Sequence, residues 1–94
     1  MIYISGGITN VSNYMERFTK AESDLIKQGY EVVNPARINA NLPTICTHED
    51  YMKVSIAELS ICDTIYLLKG YETSSGAMEE LTYALKNGYT IIKE

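Results

Sequence analysis

Two short, uninterrupted apolar runs limit what this chain can become. Met1 to Ser5 reads Met-Ile-Tyr-Ile-Ser, and Thr64 to Leu68 reads Thr-Ile-Tyr-Leu-Leu. Neither alternates apolar with polar residues. Each is therefore expected to be a strand covered on both faces, the place of a central strand in a parallel sheet with helices above and below. Parallel neighbours need crossovers of a dozen residues or more, and the sequence supplies them. A helix is expected from about Asn10 or Ser12, with Val11, Tyr14, Met15, Phe18, Ala21, Leu25 and Ile26 on one stripe and Gly29 as its stop. Residues 31–34 read as a second strand, closed by Pro35. An irregular connection is expected from Ala36 to Cys46, a length that usually signals function or mobility. Thr47 with Asp50 resembles a capping box, opening a helix that turns Met52, Ile56 and Leu59 inward and ends near Ile61. A third helix follows over residues 75–86, and a last strand over 89–92.

This β-α-β-α-β-α-β alternation predicts an α/β fold with right-handed crossovers. The expected architecture is a single Rossmann/flavodoxin-like three-layer domain over residues 1–94, with a four-stranded parallel sheet in the order 2-1-3-4. Ninety-four residues leave room for one domain. The order places a topological switch between strands 1 and 3, and open α/β sheets bind ligands there, beyond the carboxyl ends of the strands. The loops reaching that point are Ser5-Gly6-Gly7 and Ser74-Ser75-Gly76. Asp63 lies at the opposite, amino end of the third strand and is set outside the chemistry.

Several function classes are excluded. The net charge is −4 with no basic stripe, which argues against a nucleic acid polymer as partner. No apolar stretch approaches the roughly 20 residues of a membrane span, and no basic segment precedes an apolar leader, so the expected location is cytoplasmic. Cys46 and Cys62 are expected to be reduced thiols. Cys46 and His48 lack a second pair at ligand spacing, so no metal is expected. The first loop lacks G-x-G-x-x-G, the second strand ends in Asn34-Pro35 without a ribose-binding acid, and no Walker A sequence occurs. No cofactor is expected.

Adjacent glutamates on the last helix can be told apart by rotation, at about 100° per residue. With Ala77 as zero, Leu81, Ala84, Leu85 and Gly88 fall within roughly 80°. Glu79 lies about 160° away, toward solvent, and Glu80 about 60° away, on the edge of the stripe facing the sheet. A carboxylate there, one turn behind a serine-glycine loop able to meet an anion, is a candidate nucleophile or base. The alternative is an acid near a helix N-terminus, which the macrodipole stabilises in any case.

Five segments carry a more specific signal. They are Ile2-Tyr3-Ile4-Ser5-Gly6-Gly7, Asn34-Pro35-Ala36, Tyr51-Met52-Lys53, Cys62-Asp63-Thr64-Ile65, and Ser74-x-Gly76-Ala77-x-x-Glu80-x-x-x-Ala84. Together they resemble the small, largely uncharacterised phage and bacterial branch of the nucleoside 2-deoxyribosyltransferase-like family. The resemblance implies cleavage of the N-glycosidic bond of a (deoxy)nucleoside or its 5′-monophosphate, with transfer to another base or to water. It makes Glu80 the nucleophile and Tyr3 a neighbour that orients it. Ser5, Gly6, Gly7, Ser74, Ser75 and Gly76 become substrate-binding residues, with Ser74, where nucleoside-specific members carry an aspartate, favouring a 5′-phosphate. Ser74 or Ser75 as plain helix caps is the competing reading. The resemblance also implies a small-molecule nucleoside or nucleotide partner and a homo-oligomer, dimer or larger. At one position the pattern departs: Ser55 stands where relatives carry an aspartate, and neither Asp50 nor Glu58 aligns with it. A non-catalytic nucleotide binder that sequesters a nucleotide signal is therefore the alternative function.

Overall fold

The computed structural model describes residues 1–9 and 11–94. Four parallel strands form one sheet: β1 (Ile2–Ser5), β2 (Val32–Val33), β3 (Thr64–Leu67) and β4 (Thr90–Lys93), in the order β2-β1-β3-β4. β1 and β3 pair along their whole length, Ile2 opposite Thr64 and Ser5 opposite Leu67. The helices are α1 (Tyr14–Lys27), α2 (Pro35–Asn39), α3 (His48–Ser60) and α4 (Ser75–Lys86), and a 3-10 turn spans Tyr71–Thr73. The chain is thus the three-layer, Rossmann/flavodoxin-like α/β fold expected, with the expected strand order and switch point. Among the described residues no helix is long and apolar enough to cross a membrane.

The strand period of two divides the core between the two faces of the sheet. Ile2 and Ile4 of β1 pack with Phe18, Ala21 and Leu25 of α1, with Ala36 and with Leu68. Tyr3 faces the other way, into a cluster with Leu59, Cys62, Ile65, Leu67 and Ala84 beneath α3 and α4. Every residue of β1 is buried, as an uninterrupted apolar run in a central strand should be.

Several boundaries and side-chain placements differ from the sequence reading. α1 begins at Tyr14 rather than near Ser12, with Val11 ahead of it; a start at Asn10 lies outside the described residues. Ile26 and Leu85, both assigned to inner stripes, are 54% and 62% exposed. Each follows a residue, Leu25 or Ala84, that already occupies the inner line, and one step of about 100° carries it onto the flank. The connection expected from Ala36 to Cys46 starts with a helix. Asn34 caps α2, its side-chain oxygen accepting from the Ala36 N–H at 3.1 Å, and Pro35 takes the first helical position. Asn followed by Pro is a helix-start signal as much as a strand stop. The Thr47 capping box forms as expected, both of its bonds present.

Gly6 shows the tightest approach of chain to chain. A Cβ there would sit 2.9 Å from both Cβ and Cδ1 of Leu68, a fully buried side chain. Gly6→Ala should therefore overpack the β1 loop and destabilise the protein by about 1–3 kcal/mol, read as a lowered urea midpoint with an unchanged m-value.

Candidate functional site

Tyr3 and Ser5 are two apart on β1, so both side chains leave the sheet on the α3/α4 face. α4 lies over them and delivers Glu80. Glu80 is 7% exposed, while Tyr3 and Ser5 are 0% and 1% exposed. Each carboxylate oxygen has its own donor: the Ser5 hydroxyl donates to Oε1 at 2.7 Å, and the Tyr3 hydroxyl donates to Oε2. Burial pushes the Glu80 carboxyl up to about 7, against the pull of the Tyr3 and Ser5 hydrogen bonds. The Tyr3 phenol is driven far above its ordinary value by burial and then by the Glu80 charge. It therefore stays protonated and remains a donor.

The two loops converge as the switch point requires. A Cβ on Gly7 would lie 3.7 Å from the Ser74 Cβ. Ser74 is the N-cap of α4, its Oγ accepting from the Ala77 N–H at 3.1 Å, so the capping reading holds for this hydroxyl. Ser75 is exposed. The amides of Ser75 and Gly76 open the helix and have no intrahelical partner by geometry. A Cβ on Gly76 would meet Met52 Sδ at 3.3 Å and His48 Cε1 at 3.7 Å, which brings the first turn of α3 against that of α4. Tyr3, Ser5, Gly6, Gly7, Ser74, Ser75, Gly76 and Glu80 are thus gathered at one edge of the sheet, with Tyr3, Ser5 and Glu80 all buried.

Other sequence candidates fall elsewhere. Glu79 is exposed and faces His48 Nε2 at 3.3 Å. Asp50 is committed to the capping box, its carboxylate accepting from the Thr47 N–H at 2.9 Å. Asp63 pairs with the N-terminal amine at 3.1 Å, at the far edge. Cys62 is buried, and both cysteines are free. Surface depressions lie along the outer face of α1 and at the amino ends of the strands, and neither contains Glu80.

Sequence reasoning passed over Asn39. Its Nδ2 donates to Ser55 Oγ at 2.9 Å, and both side chains are buried. One turn along α3, Glu58 carries two covered carboxylate oxygens without a hydrogen-bond partner. Burial, then the charge of Glu80, pushes Glu58 up to about 7. The Ser55–Glu58 spacing marks one helical face, but no local signal pairs Asn39 with Ser55 across an irregular connection.

The architecture defines the protein as an α/β domain with a buried carboxyl at the topological switch of a parallel sheet. Over residues 1–93 the chain matches, and belongs to, the family described as a domain of unknown function, DUF4406. Comparison with curated proteins finds no match. Among solved structures, the chain is similar to a 2-deoxyribosyltransferase from the psychrotolerant bacterium Bacillus psychrosaccharolyticus, described as a biocatalyst for nucleoside synthesis. The TM-score is 0.76 at 18% identity, and the match covers 98% of this chain and 69% of that one. That likeness is one of fold.

Two raised carboxyls fix the pH dependence of stability. Between the ordinary value of 4.5 and about 7, the folded chain holds protons on Glu58 and Glu80 that the unfolded chain has released. Stability from these groups is fully present below 4.5 and is lost as pH rises through 7. The Tm should fall between pH 5 and 8 and then level off. Glu58→Gln, which mimics the protonated form, should flatten that slope, melting near wild type at pH 5 and above it at pH 8 by circular dichroism.

Proposed function

We propose that this protein binds a (deoxy)nucleoside 5′-monophosphate, or the free nucleoside, and cleaves or transfers its N-glycosidic bond with Glu80 as nucleophile. One observation carries the reading. A buried carboxylate, each oxygen held by a hydroxyl of β1, lies beneath the two loops that meet at the switch point. The 2-deoxyribosyltransferase that shares the fold supports it.

In this reaction a Glu80 oxygen attacks C1′. The C1′–N bond breaks, and the base leaves with the bonding pair and takes up a proton. A glycosyl ester on Glu80 results, and attack at C1′ by water or a second base frees the carboxylate. With its carboxyl pushed up to about 7, Glu80 is a stronger base than an ordinary glutamate and is still substantially ionised at neutral pH. Tyr3 and Ser5 fix its orientation. Ser74 places no charge at the N-terminus of α4, and the unbonded amides of Ser75 and Gly76 suit a 5′-phosphate.

A panel of nucleosides and their 5′-monophosphates, assayed for free base by chromatography, tests the proposal. Wild type should release base, and Glu80→Gln should lower the rate by about 10³-fold or more. Ser74→Asp preserves the cap but sets a carboxylate beside the phosphate. It should raise the KM for monophosphates by about tenfold or more while sparing nucleosides. Tight calorimetric binding without turnover would instead make the protein a nucleotide binder. A second copy of the chain is proposed to complete the cleft, so sedimentation at micromolar concentration should give a dimer or larger.

A further inference from the structure

The first turns of α3 and α4 meet beside the Ser74-Ser75-Gly76 loop, and a histidine stands where they touch. His48 is the first residue of α3 and the only histidine of the chain. Its Cε1 lies 3.7 Å from the place a Cβ on Gly76 would take, with Met52 Sδ 3.3 Å from the same point. Cε1 is the ring carbon between the two nitrogens. The imidazole therefore turns its polar edge toward the turn whose Ser75 and Gly76 amides lack intrahelical partners. Nε2 is engaged with Glu79 Oε2 at 3.3 Å. An ionised carboxylate only accepts, so the Nε2 proton is held there, and Nδ1 is the nitrogen that remains for a ligand.

As a staple between helices this pair contributes little. Its side chains are 60% and 57% exposed, and exposed pairs of this kind add little to stability. The two arginines, the side chains best matched to phosphate, are engaged elsewhere: Arg17 with the Lys69 carbonyl and Glu94, Arg37 with Glu22. We propose that His48 is a ligand-contacting residue, donating through Nδ1 to the 5′-phosphate of a nucleotide seated on the α4 amides, with Glu79 as its positioning residue. This rests on the reading of the site as one for nucleotides, and it commits that site to the monophosphate over the free nucleoside. An approaching phosphate dianion favours the imidazolium, which carries a proton on each nitrogen. One stays with Glu79 and the other goes to the phosphate. Glu79 then has two opposed effects: through His48 it orients and stabilises the cation, and by its own charge it repels the anion.

A lone histidine gives one set of imidazole NMR signals, which need no assignment by mutation. Wild type is titrated at fixed pH, in a buffer free of phosphate, with the common deoxynucleoside 5′-monophosphates and with the matching nucleosides. The Cε1 proton resonance should move saturably with a monophosphate and stay in place with its nucleoside. His48→Ala should raise the monophosphate KM, relative to the nucleoside KM, by about tenfold, and should melt with wild type. Glu79→Gln should raise that ratio by less, but lower it in a His48→Ala background, where only the repulsion is left. An unchanged ratio in His48→Ala overturns the proposal, as does a resonance that moves equally with nucleoside and monophosphate. Should either result come with release of free base, the nucleotide reading stands without His48. Should no nucleotide or nucleoside be bound or cleaved, the two fall together.

Discussion

The structure depends on one buried carboxylate being acceptable inside it. An ionised carboxyl taken out of water without partners is costly enough that the group keeps its proton instead. Here burial does raise Glu80 to about 7, but two hydroxyls of β1 oppose the rise, so charge remains accessible near neutrality. Those hydroxyls sit two residues apart on a strand that is otherwise apolar. Alternation sends both to the α3/α4 side, while Ile2 and Ile4 bind the sheet to α1. A one-residue slip of β1 would exchange the two sets, leaving Glu80 beside isoleucines and Tyr3 beneath α1. The pairing of β1 with β3 therefore fixes more than sheet geometry: it decides whether the carboxyl can be buried at all.

Much of this was legible locally. Uninterrupted apolar runs identified β1 and β3 as central strands, and rotation about the last helix separated Glu80 from Glu79. The capping box placed the start of α3. What the sequence concealed was either short or non-local. α2 was hidden because Asn34-Pro35 reads as the end of a strand, while in the fold Asn34 ends β2 and caps α2 at once. Ile26 and Leu85 read as core by periodicity, yet the core needs only the narrower line each helix turns to the sheet. The Asn39–Ser55 bond joins residues 16 apart, at the end of a short helix inside a connection expected to be irregular.

Ser74 shows how two readings of one residue can be reconciled. Its oxygen is committed to the Ala77 amide, so the hydroxyl works as a cap and is not free to greet a ligand. The cap frees the site from needing a charged side chain, however, because it fixes the first turn of α4 with the Ser75 and Gly76 amides unclaimed. In the proposed site a phosphate would be met by backbone, and Ser74 contributes by being uncharged. Under the proposed function, specificity at this loop follows from what the cap lacks, since aspartate would cap as well and repel the anion.

The same economy governs Glu58. Both its oxygens are covered and without a partner, an arrangement far less costly for a neutral acid than for an anion. Its rise to about 7 owes something to the charge on Glu80, so the two carboxyls are not independent: ionising one makes the other hold its proton. Glu80 has two hydroxyl donors and Glu58 none. The fold thus shares its hydroxyl donors unequally between two raised carboxyls, giving both of those on β1 to the one on α4 and none to the one on α3.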